Sequence, residues 1–216
     1  TGTSLSEQTR TPGAASGDPH DRFVVNEMDV VLAHHVAGTL ALGRAGQLVH
    51  TFSEWPVSGA KPEAFYPLSA TEFLVSNQGY KIDGMNTLIT GTSSIYKFKV
   101  ESDKIMILDL DKNTAGTQGI AVHASFPAQM FATGGKLIVF GLCASFIDAE
   151  QNCKSGIDFV DLTLMTSTDR WELDNSEYKQ NGGQIFMEGE NTIYANVYNL
   201  TEDLYQTVAF NLSDRT

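Results

Sequence analysis

Two short acidic stretches have the side-chain spacing of an oxygen-donor cation site. Asp109-Leu110-Asp111-Lys112-Asn113 sets donors at alternate positions, and Asp148-Ala149-Glu150-Gln151-Asn152 repeats the spacing. Calcium takes six to eight oxygen ligands, and alternate residues of one loop can converge on it. Asp109, Asp111 and Asn113, together with Asp148, Glu150 and Asn152, are the expected metal ligands, and calcium is the expected ion. Neither stretch is an EF-hand, because Thr114 and Ile120 stand where that loop needs Gly and Glu. Asp and Asn are also what turns contain, so both stretches equally read as solvated turns.

The histidines are His20, His34, His35, His50 and His123. Zinc needs three or four ligands in tetrahedral reach. Adjacent His34 and His35 point to opposite faces of a strand. His50, on the second strand of the same unit, is expected to meet one of them across the ladder. Such a pair is half a metal site. His34, His50 and His123 with a carboxylate could instead form a dispersed acid–base site. The hydrolase signatures G-x-S-x-G and HExxH are absent, as are GxGxxG and GxxxxGK[ST]. Asp158 and Asp161 form a carboxylate pair whose separation in space sequence cannot supply.

Cys143 and Cys153 lie ten residues apart around a polar loop between two strand-like runs. Across a hairpin loop that spacing brings two Cα atoms into bridging range, so a disulfide is expected. Two buried thiols are the other reading. The sequons Asn199-Leu200-Thr201 and Asn211-Leu212-Ser213 also fit an exported protein. Trp55, Tyr66, Tyr80 and Trp171 sit at or beside expected loops, where aromatic side chains offer large contact area at low entropy cost. They are the expected ligand-binding residues. The other reading is that they close the ends of sheet cores.

The elements that must position these residues are strands. The chain has 216 residues, 42% of them hydrophobic and 19% charged, with net charge −12. That is a globular composition. Residues 1–100 carry a net −2 and residues 101–216 a net −10, so a cation or cationic partner is drawn to the second half. Phosphate backbones are repelled, so nucleic acid is not an expected partner. No apolar run reaches the ~20 residues of a membrane-spanning helix, so membrane insertion is not expected either. Residues 1–22 are rich in Thr, Ser, Gly and Pro and read as a flexible linker or tail. Thr1 reads as the start of a trimmed or excised chain.

From residue 23 the apolar period is two. Runs such as Ile95–Val100 and Ile105–Leu108 are short, β-branched and aromatic, and Gly, Asn, Asp and Ser bound them. Four first strands start at Asp29, Glu72, Lys136 and Thr192. Each is followed, after a loop, by a second strand starting at Gly46, Ser94, Gly156 and Tyr205. In three units another apolar stretch precedes the first strand: Phe65–Pro67, Gln129–Phe131 and Gln184–Met187. Three or four antiparallel strands recurring every 45–60 residues are the rhythm of propeller blades. In this rhythm, over residues 23–216, the chain resembles the β-propeller superfamily. It carries no WD dipeptide at repeat ends, no kelch di-glycine pattern and no Asp-box of the sialidase type. The resemblance implies a single all-β domain of about four units, 23–216, either closed or part of a larger ring completed by another segment or chain. A β-sandwich is the alternative.

These observations lead to the expectation of an extracytoplasmic, non-enzymatic binding module. Its loops would take a protein or carbohydrate ligand. An enzyme subunit with the dispersed histidine site, and a structural piece of a larger surface assembly, are the alternatives.

Overall fold

The computed structural model describes residues 19–35, 37–79, 81–82, 88–89, 93–108, 119–143, 153–174 and 177–216. Among them every regular element is a strand. The first sheet is an antiparallel meander of β1 (Pro19–Val24), β2 (Asp29–His34), β3 (Thr39–Arg44) and β4 (Gln47–Phe52). The second contains β5 (Lys61–Pro67) and β6 (Glu72–Gln78). After a small pair, β7 (Lys81–Ile82) and β8 (Leu88–Ile89), it continues with β9 (Ser94–Glu101) and β10 (Lys104–Leu108). A two-residue strand, β11 (Ile120–Ala121), precedes the third sheet. That sheet is β12 (Gln129–Thr133), β13 (Lys136–Gly141), β14 (Ser155–Asp161) and β15 (Thr166–Leu173). The fourth has three strands, β16 (Tyr178–Glu188), β17 (Thr192–Asn199) and β18 (Leu204–Asn211). Four separate meanders are propeller blades, not the two facing sheets of a sandwich, and the fold class is a four-blade β-propeller.

Three of the connections are two-residue hairpins with positive φ at both positions. They are Ala45-Gly46, Ser102-Asp103 and Gly134-Gly135. That conformation matches the strand twist, which is why such turns close antiparallel pairs.

The chain divides into two compact units. In the first, sheets one and two enclose a cluster rich in phenylalanine. Phe23 stacks on Phe73 at 4.5 Å, Phe73 on Phe98 at 5.7 Å, and Phe52 meets Phe98 edge-on at 5.2 Å. Phe73 and Phe98 are wholly buried, and full burial of such a side chain contributes roughly 1.5–3 kcal/mol. At the rim, Arg44 grips both oxygens of Asp29 (2.7 and 3.1 Å) and reaches Asp103 in the β9–β10 hairpin (2.7 Å). That guanidinium holds the Asp29 carboxyl below its ordinary range.

In the second unit, β13, β14 and β17 supply the core: Ile138, Phe140, Ile157, Ile193, Val197 and, from β18, Phe210. Gly141 and Gly156 are partners in the β13–β14 ladder. They leave a trough that the segment Val122–Phe126 fills. A Cβ at Gly141 would overlap the Phe126 carbonyl oxygen and stand 2.9 Å from Ala124 Cβ. A Cβ at Gly156 would lie 3.0 Å from the His123 ring.

The sheets differ in one respect. The inner strands of the first three are buried on both faces over most of their length: β3, β6, β13 and β14 contain unbroken buried runs. In the fourth sheet, the central strand β17 alternates strictly between half-buried and buried. Among the described residues, the face of β17 that carries Thr192, Tyr194, Asn196 and Tyr198 is thus less buried than its core face.

Gly141→Ala should lower stability by about 1–3 kcal/mol, the usual range for an overpacked core site. Gly135→Ala has open space around it and costs only the left-handed backbone, about 1 kcal/mol. Urea midpoints of the two variants will show whether Gly141 carries the larger loss.

Candidate functional site

The expected calcium ligands Asp109, Asp111, Asn113, Asp148, Glu150 and Asn152 lie outside the described residues, as does Tyr80. Among the described residues, no three His, Cys, Asp or Glu side chains converge as a metal site. The expected cross-strand meeting of His50 with His34 or His35 does not form. β3 lies between β2 and β4, so His50 is paired with Leu42. The run Thr39–Arg44, read in the sequence as connection, is that intervening strand. His50 Nδ1 instead accepts the Ile105 N–H at 3.2 Å. His34 is buried, and His35 Nδ1 lies 3.0 Å from a carboxylate oxygen of buried Glu63.

Cys143 and Cys153 form the disulfide, with Cα atoms 5.9 Å apart. Trp55 is half-buried in the first unit's aromatic cluster, edge-on to Phe52, Tyr96 and Phe98, and its indole N–H donates to the Gly38 carbonyl at 2.9 Å. Trp171, opposite Ile157 on β15, packs edge-on against Phe210. Tyr66 is half-buried on β5.

Around the segment that fills the glycine trough lies a buried polar network. Asp158 is fully buried, and its Oδ2 accepts the backbone N–H groups of His123 (2.7 Å) and Ala124 (3.4 Å). Its Oδ1 has no hydrogen-bond partner among the described residues. Ser93 Oγ donates to the Ser125 carbonyl (2.9 Å), Ser125 Oγ accepts the Lys154 N–H (2.7 Å), and Ser155 Oγ accepts the Cys143 N–H (2.9 Å). Burial pushes the Asp158 carboxyl up, against the two N–H donors that favour its charge. Beside it, burial pushes the His123 imidazole down, opposed by nearby Glu172. His123 Nδ1 stands 3.4 Å from Arg170 and 3.7 Å from Glu172.

Among the described residues the exposed aromatic side chains, Phe186 and Tyr205, lie elsewhere, on sheet four. Residues opposite each other in a ladder share a face. Phe186 lies opposite Tyr194, and Tyr198 opposite Tyr205. Phe186 stacks on Tyr194 at 5.0 Å and 16°, and Tyr198 meets Tyr205 at 5.1 Å. Phe186 is 51% and Tyr205 68% exposed. Between the two ring pairs, Thr207 donates to Asn196 across the ladder at 2.7 Å. The tyrosine hydroxyls are anchored: Tyr194 donates to Glu188 (3.0 Å) and Tyr198 to Asp203. These carboxylates push both phenols above their ordinary range, so the rings stay neutral at physiological pH. Sequence reasoning favoured aromatics in loops over these four. The available signal was the alternation of Thr192–Asn199, whose non-core positions include two tyrosines.

No protein-family profile and no curated protein sequence matches the chain. Among solved structures it is similar to luciferin-regenerating enzyme, with a TM-score of 0.43 and 9% identity, covering 85% of this chain and 59% of that one. It is also similar to a protein of unknown function from Bacteroides caccae (TM-score 0.37, 10% identity, 91% of this chain and 79% of that one). A third similarity is to virginiamycin B lyase from Staphylococcus aureus (TM-score 0.37, 10% identity, 94% and 72%). The chain thus spans less than two thirds of the luciferin-regenerating enzyme structure. The activities in those names belong to those proteins.

The buried carboxyl has a signed consequence. Its pKa is raised in the folded state, so the folded chain holds the proton to higher pH than the unfolded chain. Asp158 therefore favours folding most below the ordinary carboxylate range, and this contribution is lost as pH rises through the folded value. Asp158→Asn keeps an oxygen for both N–H groups without the charge. It should gain stability relative to the native chain as pH rises from acid to neutral. Asp158→Ala orphans both donors and should lose about 1–3 kcal/mol at every pH. Denaturation midpoints across that range decide the matter; parallel curves for Asp158→Asn and the native chain would contradict the assignment.

Proposed function

We propose that the chain is an extracytoplasmic, non-enzymatic binding module of the propeller class, taking a protein or carbohydrate ligand on the open face of sheet four. The observation that carries this reading is the strip of exposed Phe186 and Tyr205 with half-buried Tyr194 and Tyr198, on a sheet whose other face is core. Contiguous exposed apolar surface marks contact sites in folded domains. Anchored tyrosines add large area at little entropy cost, because their rotamers are already fixed. Trp55 and Trp171, by contrast, spend much of their surface on the cores. The extracytoplasmic part of the reading is supported by the Cys143–Cys153 disulfide, since such bonds persist in oxidising compartments.

Phe186→Ser combined with Tyr205→Ser tests the surface. Both side chains are exposed, so stability should stay within roughly 0.5 kcal/mol of the native value. Against a panel of neutral polysaccharides, acidic polysaccharides, basic peptides and acidic peptides, at least one probe should bind the native chain about tenfold more tightly than the double variant. A panel in which no probe distinguishes the two proteins would overturn the reading. For the compartment, the unreduced chain should weigh less than the reduced one by two hydrogens. Cys143→Ser with Cys153→Ser should cost up to ~2–3 kcal/mol, the chain-entropy value for a short closed loop.

A further inference from the structure

We infer that the ligand of the sheet-four face is a cationic polypeptide segment, rich in Lys or Arg and bound in extended form along β17. This rests on the binding-module reading above and names its partner class. Three observations converge on it.

The first is charge. Residues 185–211 carry Glu188, Glu190, Glu202 and Asp203, and the sheet's one lysine, Lys179, opposite Tyr198 on β16, is buried. The exposed charges beside the strip are thus acidic, and an anionic surface attracts basic partners and repels acidic ones, whether protein or glycan. The second is where the acids sit. Glu188 is held against Tyr194 at one end of the strip, and Asp203 against Tyr198 at the other. Each carboxylate accepts one phenol hydrogen and retains lone pairs for further donors. The third is the kind of surface between them. Ring faces attract ammonium and guanidinium groups, at about 0.5–1 kcal/mol each when exposed. A cation lying over Phe186 or Tyr205 would thus meet a ring and, close by, a carboxylate.

Length also fits. Thr192 to Asn199 spans seven residue steps, or roughly 23 Å of strand. An extended segment of similar length can lie along it and place basic side chains at both acidic ends. The central Asn196–Thr207 pair offers it a polar contact. A neutral oligosaccharide could stack on the same rings but would leave the carboxylates without a charged partner.

The test uses the intact chain and a short fluorescein-labelled Lys/Arg-rich peptide, followed by fluorescence anisotropy. Phe186→Ser/Tyr205→Ser should weaken binding about tenfold. Glu190→Gln/Glu202→Gln, which leaves the anchored tyrosines alone, should weaken it severalfold at low salt. That second difference should vanish at raised salt, because exposed charges are screened. Thermal melts of both variants should overlay the native curve. If the peptide binds equally well to the aromatic double variant, the inference is overturned. It is also overturned if the face-dependent probe of the panel is a neutral polysaccharide, or if sedimentation shows the face occupied by a second copy in a dimer that the aromatic variant abolishes. In those two cases the binding-module reading survives, whereas a panel without any face-dependent probe removes both.

Discussion

Burial on both faces of the inner strands governs this molecule. Side chains in a strand alternate between two sides, so a strand such as β14, buried from Ser155 to Val160, needs a cover on each. Sequence meets that demand with apolar residues at successive positions, as in Leu137–Phe140 and Phe73–Val75. Sheet four meets it by half. Ile193, Ala195 and Val197 face the second unit's core, while the alternate positions of β17 remain half-exposed. The aromatic face is thus the less buried side of a strand whose other side is core.

Much of the fold was legible because sheet physics writes itself into short patterns. Period two, turn residues and the recurrence of apolar runs were enough to find β2, β6, β13 and β17, their partners in the repeat β4, β9, β14 and β18, and the stretches of β5, β12 and β16. The strands β1, β3 and β15 and the two-residue strands β7, β8 and β11 escaped. β3 is short and follows β2 so closely that it reads as connection, which misplaced His50 next to β2. β15, TSTDRWEL, has no apolar periodicity at all, because it is an edge strand that meets solvent over most of its length. Its pairing with β14 holds it in place. The site was less legible for a different reason. A tyrosine on a strand and a tryptophan near a loop look alike in sequence. Whether either is open depends on what lies above it. Trp55 found a core and a carbonyl acceptor, whereas Tyr205 meets the Tyr198 ring and stays largely exposed.

The polar residues of the second unit obey the same rule of satisfied burial. Where Val122–Phe126 drops into the glycine trough, its backbone groups lose water. Ser93, Ser125 and Asp158 replace that water, and Lys154 returns a backbone bond by donating to Ser125. A buried amide left without a partner costs more than a typical hydrogen bond gains, which explains why a carboxyl is tolerated in so dry a place. The glycines supply the room and the polar side chains supply the partners.

The disulfide closes the β13–β14 connection near its base, two residues beyond Gly141 and two before Ser155. Closure of a loop depends only logarithmically on its length, and here the covalent bond already fixes the ends. The third blade thus keeps the ends of β13 and β14 close together even when their ladder is unfolded.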